Sequence, residues 1–116
     1  MAIVFTEETN GSIKSIKAEW TSDGSGDASG ETEHEYSGKC LLFTTDPVDG
    51  PTDNYDVTVL DDNGLDVLAG AGADRDTTNT EQKVETNLGA VAGGKLTFVV
   101  ANAGAAKSGV AYLYLR

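Results

Sequence analysis

Apolar and polar residues alternate with a period of two along most of the chain, and Gly, Asn and Asp bound the alternating runs. This is the pattern of half-buried β-strands joined by turns. The first run, IVFTEET, meets Asn10-Gly11 and is answered by SIKSIKAEW. With Asn10-Gly11 as a two-residue type I′ turn, Thr9 faces Ser12, Glu7 faces Lys14, Phe5 faces Ile16 and Ile3 faces Ala18. One face of this hairpin then carries Ile3, Phe5, Ile16, Ala18 and Trp20, and the other Val4, Thr6, Ser15 and Lys17. A second hairpin is expected about Asn63-Gly64, with Val59 facing Leu68, Leu60 facing Val67 and Asp61 facing Asp66. Tyr55, Val57, Val59 and Leu68 would point to the core from it.

Further strands are read at KCLLFTT (39–45), GKLTFVVANAG (94–104) and SGVAYLYLR (108–116). Leu96, Phe98 and Val100 alternate in one of these, and Val110, Tyr112 and Tyr114 in another. TEHEYSG reads as a polar edge strand, and DPVDGPTD, with Pro47 and Pro51, as an irregular connection. TNTEQKVETN fits either a helical turn or an extended edge. SDGSGDASGE, about 22–31, has three glycines and no apolar anchor, so a mobile exposed loop is expected there. The sum is an all-β single domain over 1–116: a β-sandwich or partly closed antiparallel barrel, jelly-roll-like, with seven or eight short strands.

Composition narrows function more than fold. The 116 residues include 14 Gly but only 2 Pro, in keeping with many turns. Nineteen acidic residues against eight basic ones give a net charge of −11, a surface that repels duplex nucleic acid and anionic membranes. No run approaches the roughly 20 apolar residues of a membrane-spanning helix. The first residues, MAIVFTEETNGS, lack the basic and apolar regions of a Sec signal, so synthesis in the cytoplasm is expected. Cys40 is the sole cysteine and sits in an apolar run, where it reads as a small hydrophobe.

Residues suited to reactive chemistry are few. His34, the single histidine, lies in ETEHEY; on a strand its glutamate neighbours would point to the opposite face and could not orient the ring. No second His or Cys completes a zinc site. GSG, GAGA and AGG lack both the Walker spacing and a strand–GxGxxG–helix setting. Asp23-x-Ser25-x-Asp27 begins like a calcium loop, but its sixth and twelfth positions are Ala28 and His34 rather than Gly and Glu. Asp61 opposite Asp66 would be a like-charge pair needing relief from solvent, a cation or Arg75. No pair of carboxylates is singled out for glycosidase chemistry. The expectation is no enzyme, no cofactor and no metal. The aromatic residues Phe5, Trp20, Phe43, Tyr55, Phe98, Tyr112 and Tyr114 fall mostly at core parity, whereas a carbohydrate platform needs two or three on one exposed face.

The stretch FTTDPVDGPTDNYDVTVLDDNGLDVLAGAG, followed by the KLTFVV and SGVAYLYL strands, resembles small β-rich structural proteins of tailed-phage head and neck modules. The approximate pattern is T-x-P, then P-T-x-x-YDVTL-D-x-x-G-x-DVL-x-G-x-G, an L-x-F/V strand and a G-x-V-x-L-Y strand. The resemblance covers Phe43 to Leu115. It implies a virion structural protein, foremost a capsid decoration (cement) protein. That role implies a homotrimer bound to the major capsid protein on the outer surface of the head. A neck, tail-terminator or tail-associated subunit is the alternative within virions, and a carbohydrate-binding β-sandwich module the alternative from another class. The N-terminal strand Ala2, Ile3, Val4, Phe5, Thr6 is the candidate docking element, by addition to a neighbouring sheet edge, with the 22–31 loop beside it.

Overall fold

The computed structural model describes residues 3–51, 54–91 and 93–116. Among these residues nine strands run in the order β1 (Ile3–Asn10), β2 (Ile13–Thr21), β3 (Ala28–Glu31), β4 (Gly38–Asp49), β5 (Asp56–Leu60), β6 (Glu81–Val84), β7 (Ala90–Val91), β8 (Thr97–Ala101) and β9 (Ser108–Leu115), with a 3-10 turn at Glu85–Asn87 after β6. They form two antiparallel sheets. The larger has the order β1-β2-β9-β4-β6, with β7 also on β4, and the smaller the order β3-β8-β5. The fold is the expected all-β sandwich type, with no closed barrel among the described residues and with two more short strands than the pattern yields at its lower count.

The sheets face each other through their apolar sides. Ile16, Ala18 and Trp20 of β2, Ala111, Leu113 and Leu115 of β9, and Cys40 and Phe43 of β4 are buried against Val57, Val59, Phe98 and Val100 of the smaller sheet. The Trp20 and Tyr55 rings lie 5.3 Å apart, and Phe5 meets Phe98 edge-on, also at 5.3 Å. Gly109 is required at its place in β9, because a Cβ there would lie 2.5 Å from Cζ2 of Trp20.

Several local expectations are corrected. The first turn is Gly11-Ser12, not Asn10-Gly11: Asn10 pairs with Ile13, Phe5 with Ala18 and Ile3 with Trp20. Only Gly11 has a positive φ there, which suits a type II′ turn with Gly first. The register slides by two residues, so the two faces keep the expected membership. β4 carries a bulge between Cys40 and Leu42, which puts Cys40 and Phe43 on the same side despite their odd spacing, and it continues through Pro47 to a second irregularity. The strand therefore covers much of what reads as an irregular connection.

Residues 28–31 of the expected loop form β3, with Ala28 buried and Gly30 pressed against Ile3 and Phe5. TEHEYSG is not a strand; 32–36 follows 94–96 through Thr32 N–H to Leu96 O and Tyr36 N–H to Gly94 O, both 2.8 Å. TNTEQKVETN holds both alternatives in turn, β6 and then the 3-10 turn. In β9 the inward residues are Ala111, Leu113 and Leu115, while Val110, Tyr112 and Tyr114 point outward. Both alternating sets of AYLYL are apolar enough to be buried, and the contacts of the flanking strands decide between them.

Candidate functional site: the outer face of the large sheet

No layer covers the outer face of the large sheet among the described residues, and strand register fixes its composition. Reading across neighbouring strands, one row runs Val4 (β1), Glu19 (β2), Val110 (β9) and Asp46 (β4). The next holds Thr6, Lys17, Tyr112, Thr44 and Gln82, and the one beyond it Glu8, Ser15, Tyr114, Leu42 and Val84. Val4, Val48 and Val84 are 63%, 65% and 54% exposed on strands. Val4, Glu19, Thr21, Val48, Ser108 and Val110 line a groove of about 320 Å³ at one corner of this face. The Lys17 ammonium lies 4.0 Å from Glu19 with both side chains about half exposed, a contact worth little in water.

The N-terminal strand splits across the sheet. Val4 and Thr6 belong to the outer face, Ile3 and Phe5 pack inward against the core, and Ala2 lies outside the described residues.

Four acidic residues elsewhere hold turns. The Asp61 carboxylate accepts from Asn63 N–H and Leu65 N–H at 2.9 and 3.0 Å. Asp66 Oδ1 accepts from Val59 N–H and Leu68 N–H at 3.2 and 3.1 Å, and its Oδ2 from Gly70 N–H at 2.9 Å. Asp66 pairs with Leu60 rather than with Asp61, so the expected like-charge pair does not form. Arg75 is engaged elsewhere: its Nη1 lies 3.2 Å from Glu81 Oε1, and its Nε and Nη2 donate to Ala73 O. Asp76 holds Thr78 N–H and Asn79 N–H, and these bonds, from Asn79 and then Thr78, keep its carboxyl below the usual range. Asp23 Oδ1 accepts from Ser25 N–H and Asp27 N–H, closing the turn that resembled a calcium loop. These are Asx-type turns, in which the side chain stands in for a backbone acceptor. Among the described residues no group of three or more His, Cys, Asp or Glu is placed to hold a metal.

One carboxylate ties β1 to the segment between β3 and β4. Glu7 on β1 accepts from Tyr36 Oη at 2.6 Å, Glu33 N–H at 2.9 Å and His34 N–H at 3.1 Å. Burial acts to raise its pKa, but the bonds from Tyr36, Glu33 and His34 outweigh it and hold the group below its ordinary value. The Tyr36 hydroxyl is pushed upward by burial and by the Glu7 carboxylate it faces. His34 enters this arrangement through its backbone; its side chain is exposed. Cys40 is fully buried, and burial with the nearby Asp66 charge pushes its thiol up to about 11, which keeps it protonated and unreactive. The sequence reading missed the outer face because it assigned Tyr112 and Tyr114 to the core. The available signal was the inverted alternation of β9, where Leu113 and Leu115 compete with the tyrosines for burial.

No family model matches the chain, and no curated protein matches it in sequence. Among solved structures it is similar to FLHE, with 13% identity and a TM-score of 0.43 over 90% of this chain and 97% of that one. It is also similar to Aeromonas hydrophila PliG, a periplasmic lysozyme inhibitor of g-type lysozyme. There the identity is 17% and the TM-score 0.34, over 89% of this chain and 84% of that one.

Proposed function

We propose that this chain is a non-enzymatic virion structural protein, a capsid decoration (cement) protein that binds the outer surface of a tailed-phage head and stabilises the shell. The observation that carries the reading is the uncovered outer face of the large sheet, with Val4, Val48 and Val84 exposed around Tyr112, Tyr114 and Val110. An open sheet face of this kind loses free energy to water until a partner covers it. The Phe43–Leu115 resemblance supplies the phage setting. Many copies of a modest contact suffice for cement, because neighbouring sites on a shell multiply weak affinity.

The test is co-sedimentation with expanded heads assembled from a major capsid protein encoded in the same gene cluster, with light scattering of the free protein alongside. Saturable binding to heads and a free trimer are expected. A ring of six or more copies that ignores heads would favour the neck or tail-terminator role instead.

A second reading is favoured by one observation. Tyr112 and Tyr114 stand on the same outward face of β9, about 7 Å apart along the strand, with Lys17, Thr44 and Ser15 as polar neighbours. Sugar rings stack on such pairs, so a carbohydrate-binding module is the alternative. Retention on a glycan array, lost in Tyr112→Ala, would establish it.

A further inference from the structure

Along one row of the outer face, aliphatic and acidic side chains alternate: Val4, Glu19, Val110, Asp46, with Val48 beside them. The row crosses four strands and so extends about 14 Å, with Glu19 and Asp46 two strand spacings apart, about 10 Å. Between the two carboxylates lies Val110, and beyond Glu19 lies the exposed Val4. Among the described residues Glu19 is held by the long contact to Lys17 alone, and Asp46 Oδ1 accepts from Thr80 Oγ1 at 3.2 Å. Both are placed to pair with an incoming cation. A second copy of this chain is a poor occupant, because each copy carries a net charge of −11.

We infer that this row is the docking site for a basic amphipathic helix of a partner protein, one with Lys or Arg at positions i and i+7 and an aliphatic side chain between them. Positions i and i+7 of an α-helix lie about 10.5 Å apart on one face, which matches the separation of Glu19 and Asp46. The intervening aliphatic residue at i+3 or i+4 falls over Val110, and the groove lined by Val4 and Val48 takes the side of the helix. A helix laid on a bare sheet face is also the ordinary way such a face is covered. The inference deepens the decoration reading and rests on it for the identity of the partner, which would be a capsid subunit.

The experiment uses two arms. In the first, a synthetic peptide with two Arg seven positions apart and Leu between them, in an Ala background, is titrated into the isotope-labelled protein. A Glu-for-Arg analogue is the comparison. Amide and methyl shifts confined to Val4, Glu19, Asp46, Val48 and Val110 are expected with the Arg peptide alone, and they should fade in about 0.5 M salt. The double variant Glu19→Gln/Asp46→Asn, which retains the Thr80 acceptor, should weaken the peptide about tenfold or more while its spectrum stays folded. Shifts elsewhere, or equal shifts with the Glu analogue, overturn the inference. In the second arm the same variant is sedimented with heads. Heads that retain it as well as the unmodified chain overturn the docking row and leave decoration standing. A chain that takes the Arg peptide at this row but ignores heads upholds the row and overturns decoration.

Discussion

Glu7 offers the sharpest test of what holds the 33–36 segment against β1. Its carboxylate gathers three donors from 33–36 onto β1, two of them at Oε1 and one at Oε2. Glu7→Gln leaves one oxygen able to accept but turns an NH₂ toward a backbone N–H, so one bond becomes a donor–donor contact and the others lose charge assistance. Bonds to charged groups contribute about 1.5–3 kcal/mol when well shielded, and Glu7 is partly exposed, so the expected loss is about 1–2 kcal/mol. For a chain of this size that lowers Tm by about 4–8 °C. Tyr36→Phe removes one donor and should cost about 1 kcal/mol. The double variant should lose less than the sum of the two, with a coupling of about 1 kcal/mol.

The pH dependence fixes the sign. The folded carboxyl lies below its ordinary value of 4.5, so in acid the unfolded chain takes up the proton first. The stabilisation is therefore complete above about pH 4.5 and drains away as pH falls through the folded value. Urea unfolding of the unmodified chain and Glu7→Gln at pH 7 and at about pH 3 should show the gap between them narrowing in acid. A gap that is the same at both pH values, or absent at pH 7, would refute the account of Glu7 as a charged clamp.

Three other outcomes are expected. Gly109→Ala should cost about 1–3 kcal/mol in chemical denaturation and change the near-ultraviolet signal of Trp20, because the new methyl must displace the indole. Asp66→Ala strips three backbone N–H groups of their acceptor and should lose about 2–3 kcal/mol, whereas Asp66→Asn, which retains one oxygen, should lose about half as much. Cys40, with its thiol buried and pushed up to about 11, should resist a maleimide at pH 7.5 in the native protein and react at once in urea, as read by mass spectrometry.

Much of the fold was legible from residue pattern. The faces of the first hairpin follow from alternation alone and survive a turn displaced by one residue, because the register slides by two and parity is kept. The same reasoning fails where parity shifts. The bulge at Cys40–Leu42 resets which residues of β4 face inward, and nothing in KCLLFTT announces it. In β9 the two alternating sets are both apolar, so alternation says which side chains travel together without saying which set is buried. The candidate docking face was hidden by that ambiguity. The Asp61–Asp66 pairing was misplaced for a different reason: a carboxylate that caps its own turn looks, in sequence, the same as one that faces a cross-strand partner. Whether Asp66 faces Asp61 or gathers Val59, Leu68 and Gly70 depends on a one-residue register.

The position of β9 has a consequence for how the chain is made. It lies in the middle of the large sheet, bonded to β2 on one side and β4 on the other, yet it is the last of the described strands to leave the ribosome. Until then β2 and β4 have no shared partner, and the β1–β2 hairpin can form but has no further strand of the large sheet to pair with. The decisive pairings link residues near 15 and 45 with residues near 112, long loops to close and slow ones on entropic grounds. Completion of the large sheet therefore waits until 108–115 has been made, and until then the facing edges of β2 and β4 stay open. Loss of even the last eight described residues would split the sheet down its centre rather than trim its border.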